Sequence, residues 1–415
     1  MPWTRTTLLG TLLAVGGCGG GGAGDDGDTD TGTDTETDTD TDSGTGGGEL
    51  IRPATLEDDR SRLVDAPGAY EWWNFFALDP EREIGVSMIF NSSDPFNCDY
   101  RRALHAWRAD PDANPQPDPR DYPLLQLQVD EGGQTVFSAL RNAPGTEVWF
   151  STETGRGEIG DSRFEGEMVD GVKTYTVHID SPDSRNDMRL EADVVLEAGS
   201  PGFAVEGGLY GAVPGGGAHD WQFPLGHPRT AGHVKVTHRD GTVLLDSDIE
   251  GGGYSDHMWG ESLLSDVLAS WHFGTADLGD AGALVYIWLT PADGAGSGFV
   301  FHEPPGELAA AHPIADAALS SPHTGLFELD YHAVIELDLG AAGALTAALD
   351  PGSLAVDWPF QVAGPSVLDG AVGGSLFLDA TPATSEYLWQ PGIDDPGYYA
   401  MFDYVHDAEW GDDWY

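Results

Sequence analysis

The sequence predicts an all-β chain of antiparallel strands, and three observations carry that prediction. Apolar and polar side chains alternate with a period of two over long stretches, Asp-Gly pairs separate such stretches, and helical periodicity is nearly absent. In 174–179, Tyr175, Val177 and Ile179 point one way while Thr174, Thr176 and His178 point the other. Over 327–339, Phe327, Leu329, Tyr331, Ala333, Ile335, Leu337 and Leu339 alternate with mostly polar neighbours, and Leu125, Leu127 and Val129 alternate with Gln126 and Gln128. Half-buried antiparallel strands have this pattern. Asp170-Gly171 and Asp240-Gly241 supply hairpin turns. The one alanine-rich stretch, 309–318, is interrupted by Pro313. A single sheet of this length must split or close, and closed barrels or deep sandwiches remove the exposed edges.

From the N-terminus, residues 1–18 read as an export signal. Arg5 supplies the positive start, and Leu8, Leu9, Leu12, Leu13, Ala14 and Val15 form a short apolar core. Val15-Gly16-Gly17-Cys18 resembles a bacterial lipobox, in which Cys18 would be lipidated and become the mature N-terminus. A plain secretory signal followed by an incidental cysteine is the alternative. The apolar run is shorter than the roughly 20 residues of a membrane-spanning helix. With Cys18 acylated, Cys98 has no partner and reads as a buried thiol. Residues 19–48 hold Gly, Asp and Thr and little else, with nine acids and no base. Nothing there offsets the entropy of ordering the chain, so it reads as a disordered, charge-extended linker. A calcium-binding repeat would need a glycine spacing that this stretch lacks.

The chain has 415 residues and a formal charge of −52. Residues 49–415 carry 61 acids against 17 bases, so the acidity belongs to the folded body as well. Such a balance repels phosphate backbones and excludes non-specific nucleic-acid binding. Thirteen tryptophans mark a folded body, since disordered segments are poor in aromatics. Two cysteines exclude a disulfide framework. A division near Ser247 gives bodies at 49–246 and 247–415, each opening on a tryptophan-bearing stretch.

Three segments concentrate chemistry. Glu71-Trp72-Trp73-Asn74-Phe75-Phe76 is nearly all aromatic or carboxylate. Gly251-Gly252-Gly253-Tyr254-Ser255-Asp256-His257-Met258-Trp259-Gly260 presents an acid, an imidazole and an indole within four residues, and Ser270-Trp271-His272-Phe273-Gly274 follows. On a strand, Asp256 and Met258 face one side while His257 and Trp259 face the other. These motifs, in this order, resemble the carotenoid 1,2-hydratase (hydroxyneurosporene synthase, CrtC) and AttH-like family over most of 65–410. The resemblance implies two lipocalin-like β-barrels packed together with a ligand site near their junction. It implies an apolar isoprenoid or polyene ligand, and hydration of a C=C bond or a polyene cyclisation as the reaction.

Hydrating an isolated C=C needs a strong proton donor, and a carboxylic acid kept protonated by an apolar cavity is suitable. Asp256 is the first candidate and Glu71 the second, with His257 orienting water or relaying the proton. Trp72, Trp73, Tyr254, Trp259 and Trp271 are candidates to line the cavity, where indole faces stabilise a developing cation. No metal or organic cofactor is required.

Blander readings stand beside these. A tryptophan on the first strand of such a barrel plugs its base, Asp256 and His257 bond turn amides, and Glu71 pairs with a buried arginine such as Arg101 or Arg102. Metal binding through Asp256, His257 and His272 lacks a supporting motif. His219-Asp220-Trp221 reads as a loop-to-strand junction. A non-catalytic envelope carrier or sensor of an apolar ligand is the alternative function, and a glycan-binding sandwich a more distant one. Either leading reading suits a protein exported and lipid-anchored at the periplasmic face or cell surface of a bacterial envelope.

Overall fold

The computed structural model describes residues 50–389, apart from 144–146, 184–186, 207, 209–218, 292–294, 326–328, 353, 355 and 358–360. The expected export signal, the acidic linker and Cys18 lie outside the described residues, as does Phe327.

Two curled antiparallel sheets make up the body, one of 14 strands and one of 10 among the described residues. In the first, Ile84–Ser93, Tyr70–Asp79, Val243–Gly260 and Arg229–His238 lie side by side in that order. The second runs Ser297–Glu303, Ala283–Pro291, Leu268–Asp277, Ser375–Trp389 and Gln361–Val372, so its first and last long strands are neighbours. The stretch 310–324 passes from one wall of this sheet to the other: Phe299 pairs with Pro313, and Asp316 with Asp338. The all-β expectation of two lipocalin-like barrels therefore holds in the sheets.

The alternating phases fall as the sequence predicts. Tyr175, Val177 and Ile179 are buried in the first barrel core, and Tyr331, Ala333, Ile335 and Leu337 in the second body. Leu124–Glu131 differs, because Gln126 and Gln128 are buried along with the leucines. Its other face is covered too. Cys98 is buried and belongs to no disulfide among the described residues.

Three features depart from expectation. A helix spans Cys98–Ala109, capped by the Asn97 side chain, which accepts from the backbone N–H groups of Asp99 and Tyr100. Tyr100 and Leu104 pack inward against Leu263. Four basic residues dilute this apolar stripe and hide its period. The alanine-rich stretch forms short strands, Ala310–Pro313 and Asp316–Thr324. The division expected at 246/247 falls inside Val243–Gly260, which pairs along its length within the first sheet. Among the described residues the chain changes sheets between Gly260 and Leu268. The two tryptophan-bearing stretches are thus neighbours in one sheet rather than the openings of two halves.

Asp170 and Gly171 take φ of 51° and 86° between strands Ser162–Val169 and Val172–Asp183, the doubly left-handed course of a two-residue hairpin. A Cβ on Gly171 meets nothing within 4 Å, so substitution there costs backbone strain alone. Gly171→Ala is expected to lose about 1–2 kcal/mol, read as a lower urea midpoint at unchanged slope.

Candidate functional site

Strand Val243–Gly260 runs antiparallel to Tyr70–Asp79, with Asp256 opposite Asn74, His257 opposite Trp73, Met258 opposite Trp72 and Trp259 opposite Glu71. Side chains directly opposite in such a pair share a face. One face of this ribbon therefore carries Tyr254, Asp256, Met258, Trp72 and Asn74, and the other carries His257, Trp259, Glu71 and Trp73. Trp72 and Met258 belong to the apolar layer that also holds Trp271 and Phe301 of the second sheet, whereas Trp73 lies in the first barrel core. The sequence candidates are split between two environments.

On the barrel side the polar groups satisfy one another. Glu71 accepts from Ser61 Oγ at 2.7 Å, Ser92 Oγ at 2.9 Å and the Arg62 backbone N–H at 2.6 Å. Its Oε1 also lies 3.0 Å from His257 Nε2. Gln222 Nε2 donates to the Asp58 carbonyl at 2.7 Å and stands 2.9 Å from His257 Nδ1. Nδ1 is therefore the acceptor, and Nε2 carries the hydrogen given to Glu71. Trp73 stacks on His257 at 4.4 Å between ring centroids, and its Nε1 donates to the Asp59 carbonyl. Asp59 in turn takes Lys173 and the Tyr175 hydroxyl. Trp259 is half-buried beneath the Arg62 guanidinium, 4.8 Å from its ring centre. Glu71 does not pair with Arg101 or Arg102; Arg101 donates to the Pro95 carbonyl and Ser265 Oγ, and Arg102 to Asp99. Glu71 and His257 are wholly enclosed. Four donors on one carboxylate describe a structural joint.

The other face opens on a pocket between the sheets, of about 90 Å³. Asn74, Phe76, Phe223 and Tyr254 line it from the first sheet, and Phe273, Glu303 and Glu386 from the second. Asp256 lies behind this wall, accepting from Trp72 Nε1 at 3.1 Å. Burial pushes the Asp256 carboxyl up to about 7, outweighing the Tyr254 hydroxyl, the Trp72 indole, the Asn74 amide and the Trp221 indole, which all favour its charged form. Neither the Tyr254 hydroxyl nor Trp221 Nε1 closes a hydrogen bond of ordinary length among the described residues. They are polar atoms held in an apolar wall beside a carboxyl that keeps its proton near neutral pH.

The second sheet adds acids that the motif reading did not reach. Glu303 is buried, and its Oε2 accepts the His227 backbone N–H at 2.7 Å; burial raises its carboxyl to about 7. His227 Nε2 lies 3.3 Å from Asp277 Oδ1, so one turn of the first sheet grips two strands of the second. Glu386 sits opposite Phe273 and accepts from Trp271 Nε1 at 2.7 Å. Trp271 thus holds an acid of the pocket without lining it. Glu303 has a legible signal: it continues the phase of Phe299 and Phe301, and an acid on the apolar phase of a strand is buried for a reason. Trp221, read as part of a junction, turns its indole toward Asp256.

No family model matches the chain. A curated protein of Chlorobaculum tepidum named hydroxyneurosporene dehydrogenase is 25% identical over 215 residues, 51% of this chain and 54% of its own length. The chain thus matches about half the length of that relative. Among solved structures, one assigned as an AttH of Nitrosomonas europaea superposes with a TM-score of 0.49 at 15% identity, covering 77% of this chain and 92% of that one. Kievitone hydratase of Nectria haematococca gives 0.48 at 10% identity, covering 80% and 92%. CghA with Sch210972 gives 0.48 at 10%, covering 82% and 98%.

Proposed function

We propose, from the premise of an AttH/CrtC-like chain with carotenoid-related kinship, that the pocket between the sheets receives the end of a long isoprenoid or polyene. Asp256 acts there as proton donor for hydration of an isolated C=C bond. One observation carries this reading: a buried carboxyl at about 7, behind an aromatic pocket, with donors arranged around it. A free volume of about 90 Å³ suits a chain terminus or a few waters rather than a whole polyene. The terminal double bond is therefore the part that approaches the acid.

In this scheme Asp256 gives its proton to the less substituted alkene carbon, and the π pair becomes the new C–H bond. The faces of Phe76, Phe223, Phe273 and Tyr254 stabilise the tertiary cation. Water then adds through an oxygen lone pair and loses a proton, leaving a tertiary alcohol. The purified full-length chain, incubated with a linear carotenoid bearing terminal isolated double bonds, is expected to yield a product heavier by one water. Recovery of the carotenoid unchanged, still bound to the protein, would replace hydration with the carrier reading.

The body is proposed to work at a bacterial envelope membrane, anchored through lipidated Cys18 on the acidic linker 19–48, with an apolar small molecule and the membrane as its partners. Such an anchor keeps the pocket near the phase into which the ligand partitions. Cys18→Ala is expected to shift the protein from the membrane pellet to the soluble fraction. If the variant stays in the pellet, the lipid anchor is wrong.

A further inference from the structure

We propose that Glu303, which lines the pocket from the second sheet, is the proton acceptor for the addition that Asp256 begins, and that the Tyr254 hydroxyl, on the same pocket wall, passes the proton back between them. The proposal rests on the hydration reading above and assigns the half of the reaction that Asp256 cannot perform while it is still a carboxylic acid.

Adding water to the cation releases a proton, and a group must hold it near the new C–O bond. Two buried acids of the second sheet, Glu303 and Glu386, line the pocket, and the buried Asp256 of the first sheet lies behind its Asn74 and Tyr254 wall. All three act on the Tyr254 hydroxyl, whose ionisation they oppose. Tyr254 lines the same pocket as Glu303 and Glu386, on the strand that carries Asp256, with its hydroxyl unpartnered among the described residues. Glu386 is committed to the Trp271 indole. Glu303 is less tied: Oε2 takes the His227 backbone N–H at 2.7 Å, and Oε1 has no hydrogen-bond partner among the described residues. That N–H and the His227 ring favour its charged form. Asp277, paired with the same ring, favours the imidazolium. The acceptor, a residue of the second sheet, is thus held in place by a turn of the first.

The proton balance closes. Asp256 delivers its proton to carbon, water forms the C–O bond, and the oxonium proton passes to the Glu303 carboxylate. Tyr254 then receives that proton on its oxygen and gives its own to the Asp256 carboxylate, which restores both acids. No oxidant, reductant or further reactant is needed.

The test uses the full chain and the same linear carotenoid, followed by the rate of water addition against pH. Wild type is expected to give a bell centred near neutrality, because Glu303 must be charged and Asp256 protonated. Glu303→Gln still accepts from His227, so it should melt like wild type. Its rate should fall by roughly 10²–10⁴, and the limb that rises with pH should vanish while the falling limb set by Asp256 remains. Glu303→Asp should recover part of the rate, and formate should rescue Glu303→Ala. A Glu303→Gln variant at full rate, or a slow one with both limbs intact, overturns the proposal and leaves the hydration reading standing. A wild type that adds no water overturns both.

Discussion

Asp256→Asn is expected to lower the hydration rate by roughly 10²–10⁴ while the protein still folds and binds its carotenoid. The asparagine carbonyl can accept the Trp72 indole N–H as the carboxyl does at 3.1 Å, so the wall keeps its shape and loses only the transferable proton. Stability gives a second readout. The carboxyl is raised to about 7 from an ordinary 3.8, so between these values the folded chain holds a proton that the unfolded chain has lost. Wild-type stability from this group is therefore fully present below about 4, declines as pH rises toward 7, and is flat beyond. The asparagine variant lacks that decline and should be at least as stable as wild type at pH 8. Urea unfolding at pH 4 and pH 8 measures it. A variant that turns over at the wild-type rate would remove Asp256 from the chemistry.

Much of the arrangement was legible in the residues. The period-two phases of 174–179 and 327–339 place their buried faces among the described residues, and the alternation across Tyr254–Trp259 puts Asp256 and His257 on opposite sides. It could not tell which side faces a barrel core and which a second sheet, because strand order is set by pairing between segments some 180 residues apart. For that reason Asp256, His257 and Glu71 read as one constellation, although the ribbon divides them. The glycines before Tyr254 are a local case. A Cβ at Gly253 would sit 2.4 Å from the Phe76 carbonyl, so that glycine serves close strand approach beside the pocket. The helix at Cys98–Ala109 was hidden by its arginines. Glu303 is marked only by its place on the phase of Phe299 and Phe301, since no aromatic-polar motif surrounds it.

The barrel-side network yields the second large effect, with the opposite signature. Glu71→Ala is expected to destabilise the fold by about 3–5 kcal/mol, read as a fall in the urea midpoint. The variant strips the acceptor from His257 Nε2–H, Ser61, Ser92 and the Arg62 backbone N–H, in a place where Glu71 and His257 are both wholly buried. The orphaned donors of His257 and Ser92, both buried, carry a desolvation cost that water cannot relieve. Loosening His257 also removes the partner on which Trp73 stacks, and with it the register between the two central strands. The consequence for the pocket is indirect: Asp256 and Asn74 lie one residue along those same strands. Residual folded protein should therefore retain the pH profile of wild type at reduced yield, whereas Asp256→Asn loses the activity at full yield. If Glu71→Ala melts like wild type yet no longer adds water, the carboxylate belongs to the chemistry and the division of the ribbon into a structural and a reactive face is wrong.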